Sequence, residues 1–80
     1  MSQSEILVKL INSALEVESI NEYSKLGDIP EWDSLGQLAI LSALDERLEG
    51  RISHIRDFVS AKSVHELMNL LNANNLSLGE

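Results

Sequence analysis

Eighty residues with thirteen aspartates and glutamates against six lysines and arginines, a net charge of −7, make one small domain with a thin core, because so short a chain buries only about 60% of its unfolded surface. That size argues against a deep catalytic cleft, and the acidity repels nucleic-acid phosphates while favouring basic protein surfaces. Without cysteine there is no disulfide framework, thiolate metal site or cysteine nucleophile.

The opening MSQSEILVKLINSAL has no basic segment leading into a continuous apolar run, and no stretch reaches the roughly 20 apolar residues that span a bilayer. The expectation is a soluble, cytoplasmic monomer with no membrane partner. Ser2 and Glu5 have capping-box spacing. Ile6, Leu7, Leu10, Ile11, Ala14 and Leu15 then form one apolar stripe, with Lys9, Asn12 and Ser13 opposite, which predicts a helix over about residues 3–16.

Residues 17–33 lack a sustained period and contain Gly27 and Pro30, so they read as a long loop pinned by Ile20, Tyr23, Leu26, Ile29 and Trp32. Trp32 reads as a hydrophobic anchor. Glu16, Glu18, Glu22, Asp28, Glu31 and Asp33 face only Lys25 along this stretch, as expected of a solvated acidic loop.

A second helix is expected over about residues 34–49. Leu38, Ile40, Leu41, Leu44 and Leu48 are assigned to its core face, and Leu35, Ala39, Ser42, Glu46 and Glu49, flanked by Asp45, to an outer stripe. That stripe begins apolar and ends acidic, which suits a docking face with one apolar anchor and an acidic rim. Gly50 fits the position past the helix end.

RISHIRDFVSAK places Ile52, Ile55, Phe58 and Val59 at mixed spacing, predicting a connector with one or two short helical turns. Ser63 and Glu66 have capping-box spacing again, followed by Val64, Leu67, Met68 and Leu71 on one face, so a last helix should end near the Asn-rich NANN. No repeat or linker divides the chain. Residues 1–80 read as a single all-α domain, a small four-helix bundle of three main helices plus one short helix, ordered over about 3–72 with a frayed tail at 73–80.

Ser34 stands where the loop meets the second helix, and two local readings of it are open. Ser34-Leu35-Gly36-Gln37 has capping-box spacing, which would occupy the hydroxyl with the Gln37 amide. Alternatively Asp33 is the cap, leaving Ser34 in the first turn and free to react.

Asp33-Ser34-Leu35, between a long loop and an amphipathic helix in an acidic domain of this size, resembles the modification site of acyl carrier proteins. The order of elements adds to the tripeptide: helix, long loop, Asp-Ser-Leu, a helix with an acidic second half, a short connector and a final capped helix. The resemblance covers about residues 3–72. In that family the serine corresponding to Ser34 receives a 4′-phosphopantetheine arm from coenzyme A, and the thiol of the arm holds an acyl group as a thioester.

The resemblance implies covalent 4′-phosphopantetheine on Ser34, with Asp33 and Leu35 as motif neighbours. It implies a phosphopantetheinyl transferase and acyl-activating or condensing enzymes with basic docking surfaces as partners. The chain would itself be a substrate and not an enzyme, since nothing near Ser34 in sequence would activate its hydroxyl.

Typical fatty-acid carriers have an acidic residue one turn after the serine-leucine pair and a bulky apolar residue a turn later, where this chain has Ala39 and Ser42. Gly36, which costs a helix up to about 1 kcal/mol relative to Ala, replaces a commonly polar residue. The wording Trp-Asp-Ser-Leu-Gly looks more like stand-alone carriers of specialised pathways, such as polyketide or mixed peptide assembly. The Gly-Gly-His-Ser wording of many peptidyl carriers is absent, which makes an aminoacyl or peptidyl cargo the second version.

Other classes fit less well. A serine hydrolase wants a strained nucleophile turn with His and acid partners on a larger scaffold. His54 in the connector and His65 in the first turn of a capped helix lack metal-ligand spacing, so no metal is expected. A small acidic helical adaptor that binds partners unmodified predicts the same bundle and the same acidic face.

Overall fold

A computed structural model describes residues 2–79. Its first helix, α1 (Gln3–Leu15), begins where the capping box places it. Ser2 Oγ accepts the Glu5 amide at 3.2 Å and Glu5 Oε1 accepts the Ser2 amide at 3.0 Å, which satisfies two donors that the first turn leaves open. Leu7, Ile11 and Leu15 form its buried edge, with Ile6, Leu10 and Ala14 half-buried beside them. Asn12, expected on the solvent side, is half-buried, and its Oδ1 accepts the Ile20 amide at 3.0 Å.

The other helices are α2 (Ser34–Arg47), α3 (Asp57–Ser60) and α4 (Val64–Ala73). Among the described residues there are four helices and no strand, so the chain is all-α. α1 packs against both α2 and α4, and α3 against α4. Leu7, Ile11, Ile40, Leu44, Leu67 and Leu71 meet in the core, each contributing about 1.5–3 kcal/mol by leaving water. None of the described helices is long and apolar enough to cross a membrane.

The long loop between α1 and α2 lies against the chain entering α4. Leu26 donates to the Lys62 carbonyl at 2.8 Å, and Val64 donates to the Ser24 carbonyl at 3.0 Å, around a bridge between Lys25 and Ser63. Ile20 and Trp32 are buried and Leu26 and Ile29 half-buried, so four of the five expected pins hold. Tyr23 does not: it is exposed, within a short turn in which the Asn21 side chain accepts its amide. The acidic side chains from Glu16 to Asp33 are all exposed.

α2 departs from its expected sidedness. Its buried positions are Gly36, Gln37, Ile40 and Leu44, continued by Leu48, while Leu38 is 62% exposed. Two residues advance a helix by about 200°, so Leu38 and Ile40 lie on opposite sides, and a single face cannot hold both. The helix also ends at Arg47, short of Glu49. Leu48 caps it, Glu49 takes the left-handed conformation at φ 56°, and Gly50 donates to the Asp45 carbonyl at 2.9 Å. These bonds make a Schellman closure in which Glu49, and not Gly50, occupies the first left-handed position.

At α4 only half of the expected capping box forms. Ser63 Oγ accepts the Glu66 amide at 3.0 Å, but Glu66 Oε1 reaches past Ser63 to the Lys62 amide at 2.7 Å. The tail also differs from expectation. Asn75 takes the left-handed conformation and Leu76 donates to the Leu71 carbonyl, turning the chain back so that Leu78 enters the core at 4% exposed. Gln3 donates to the Leu76 carbonyl and accepts the Leu78 amide, both at 2.9 Å, and Arg47 Nε donates to the Leu78 carbonyl at 2.8 Å. Glu80, the last residue of the expected frayed tail, lies outside the described residues.

Candidate functional site

The junction between the long loop and α2 resolves the two readings of Ser34. Asp33 is in the extended region, and its Oδ1 accepts the Gly36 amide at 2.9 Å, so Asp33 caps the helix. The Gln37 amide goes to the Asp33 carbonyl at 2.8 Å as an ordinary helical bond. Ser34 is therefore the first helical residue. It is exposed, and its hydroxyl makes no hydrogen bond among the described residues.

Two opposing fields act at this hydroxyl. The amides of Ser34 and Leu35 have no intrahelical partners, and the positive end of the α2 dipole favours an anion there. The Asp33 carboxylate disfavours one, although its capping bond ties it to the Gly36 amide. Ser34 and Asp33 form one wall of a shallow open depression lined by Leu26, Ile29, Pro30 and Trp32.

Gly36 explains how the loop comes so near. It is buried, and a Cβ at this position would overlap the Glu31 carbonyl oxygen and press on Leu15 Cδ2 at 3.0 Å. The glycine lets the loop and α1 close over the first turn of α2. Gln37, one residue on, was not singled out by sequence reasoning. Its Oε1 accepts from Trp32 Nε1 at 2.8 Å and its Nε2 donates to the Ala61 carbonyl at 2.7 Å, both bonds buried. The available signal was its place in the stripe Gln37, Ile40, Leu44, Leu48, where a lone polar residue faces the loop that carries the only tryptophan.

The residues expected on the outer stripe of α2 are exposed in part. Leu35, Ser42, Glu46 and Glu49 are exposed, and Ala39 and Asp45 half-buried. Leu38 joins this face in place of its expected core role. Leu35, next to Ser34, is 76% exposed, and Leu38 shares a groove with Val59, which is 66% exposed. Between α2 and the connector runs a groove of about 300 Å³ lined by Leu38, Leu41, Asp45, Ile52, Ile55 and Phe58. Asp45 Oδ1 is buried there without a hydrogen-bond partner among the described residues.

His54 and His65 are both exposed, and among the described residues no three His, Cys, Asp or Glu side chains converge as a metal-ligand set. No family model, curated protein or solved structure matches this chain.

Proposed function

We propose that this protein is an acyl carrier with an acyl-carrier-type bundle, and that Ser34 is the attachment point of a 4′-phosphopantetheine arm. The observation that carries the reading is the cap: Asp33 holds the helix terminus, which leaves the Ser34 hydroxyl exposed and unbonded. The Asp-Ser-Leu resemblance and the succession of elements around it support the same reading. When attached, the arm supplies a thiol that holds an acyl group as a thioester.

In the attachment step Ser34 Oγ attacks the phosphorus that bears pantetheine in coenzyme A. A new O–P bond forms, the bond from that phosphorus to the rest of the pyrophosphate breaks, and adenosine 3′,5′-bisphosphate leaves. The hydroxyl proton passes to a base on a transferase, which also supplies a metal ion. This chain presents the hydroxyl and does no catalysis of its own. α2 offers the transferase and later acyl-handling enzymes an apolar anchor at Leu35 and Leu38 and an acidic rim at Asp45, Glu46 and Glu49, suited to basic docking surfaces.

The carrier acts as a cytoplasmic monomer, without nucleic-acid or membrane partners. Ala39 and Ser42 favour a specialised pathway, with a polyketide-type or other acyl cargo ahead of an aminoacyl or peptidyl one. An unmodified adaptor is the second reading, favoured by the exposed side chains of Leu35, Leu38 and Val59, which can bury against a partner without any arm.

Intact mass before and after incubation with coenzyme A, magnesium and a broad-specificity phosphopantetheinyl transferase separates the two. The carrier gains the mass of one arm, and Ser34→Ala gains none. A wild type of unchanged mass, or a gain that persists in Ser34→Ala, refutes the carrier reading.

A further inference from the structure

We infer that Gln37 is a positioning residue for the chemistry at Ser34, its buried carboxamide fixing the loop that delivers the serine to a modifying enzyme. The inference rests on the carrier reading above. Gln37 is 7% exposed and Trp32 wholly buried, and the bond between their side chains, at 2.8 Å, closes a ring of chain from 32 to 37 that contains Ser34. The second bond, from Gln37 Nε2 to the Ala61 carbonyl, ties that ring to the segment entering α4.

The ring is braced on both sides of the serine. Before it, Trp32 donates its amide to the Ile29 carbonyl at 3.1 Å, and its own carbonyl accepts from Gly27 at 2.9 Å. After it, Asp33 Oδ1 accepts the Gly36 amide. Every backbone torsion that aims Ser34 lies between these fixed points. Removing the carboxamide strands an indole N–H and a carbonyl in the interior, and such groups are relieved by admitting water or turning outward. Either response moves Trp32, two residues from the reacting oxygen. The Gln37 carboxamide is buried and hydrogen-bonds to Trp32 and Ala61, not to the serine or the exposed docking face, so its loss should alter the chemical step and leave encounter with the enzyme intact.

The test measures arm transfer from coenzyme A at varied carrier concentration for wild type, Gln37→Met, Trp32→Phe and the double variant, with helix content followed by far-ultraviolet circular dichroism. Misplacing a reacting group by about 1 Å costs up to about a hundredfold, so Gln37→Met should lose about ten- to a hundredfold in kcat. Its KM should change by less than about threefold, because the residues that bind the enzyme are untouched. Trp32→Phe, which leaves the bond from Gln37 to the Ala61 carbonyl in place, should show a smaller loss of the same kind, and the double variant should be about as slow as Gln37→Met, since the bond the two residues share is already gone in that variant.

If Gln37→Met does not fold, the wild type decides the question through hydrogen exchange at the Trp32 indole. Exchange at least about a hundredfold slower than free indole supports the inference, and exchange at the free rate overturns it. An undiminished kcat in folded Gln37→Met, or a loss confined to KM, also overturns it and leaves the carrier reading standing. A wild type that accepts no arm removes both.

Discussion

The Glu31 carbonyl oxygen lies against the backbone of Gly36 so closely that a side chain at residue 36 has no room beside it. Gly36→Ala therefore sets two effects against each other. Helix propensity favours Ala by up to about 1 kcal/mol. The overlap forces the loop away from α2, and overpacking of this kind costs typically about 1–3 kcal/mol. The collision should win, because a loop carbonyl yields less readily than a side chain. Urea titration should show the variant less stable than wild type, and a stabilised variant would contradict the close approach.

Leu38 and Ile40 give a direct test of the sidedness of α2. Leu38→Ala should change stability by no more than about 0.5 kcal/mol, as exposed substitutions do. Ile40→Ala, at a wholly buried site, should cost about 2–5 kcal/mol. Comparable losses in the two variants by chemical denaturation would mean that Leu38 belongs to the core after all. Under the carrier reading, Leu38→Ala should instead slow acyl transfer to a partner enzyme.

The tail is predicted to be structural. Leu78→Ala should cost about 2–5 kcal/mol, a large part of the roughly 4–12 kcal/mol that holds a domain of 80 residues. Gln3→Ala removes two hydrogen bonds to the same segment, each worth about 0.5–1.5 kcal/mol net. Thermal denaturation of both variants checks this, and unchanged melting temperatures would return the tail to solvent.

Glu5 provides a pH-dependent signal. Its hydrogen bonds to the Ser2 backbone amide and then to the Ser2 hydroxyl favour the carboxylate, holding its pKa below the ordinary 4.5. The lowered value makes the sign definite: the contribution is fully present above pH 4.5 and is lost as pH falls through the folded-state value. Glu5→Gln should therefore be less stable than wild type at neutral pH, with the difference narrowing as the solution is acidified below 4.5. A difference constant with pH would remove the carboxylate from the cap.

Features set by neighbours three or four residues apart are legible in this sequence. Ser2 with Glu5, Ser63 before Val64, and the stripes of α1 and α4 all follow from local spacing, and so does the all-α class. The sidedness of α2 is less legible because leucines occur all around it, so hydrophobicity alone does not choose a face. Gln37, Gly36 and Leu78 owe their roles to Trp32, Glu31 and Gln3, partners that only the folded chain brings near. At the junction itself, Ser34-x-x-Gln37 has the full capping-box spacing on paper, whereas Asp33-x-x-Gly36 offers only the cap residue. The burial of Gln37 draws its side chain inward to Trp32, and Asp33 is left to take the terminus.

Trp32 is the chain's only tryptophan, and its indole is wholly enclosed two residues from Ser34. The protein thus contains its own optical reporter at the place where modification is proposed. Its ultraviolet emission samples the loop, Gln37 and the threshold of α4 together. Loosening of the loop should shift that emission to longer wavelength before the helices melt, giving a label-free view of the Ser34 surroundings while a partner docks.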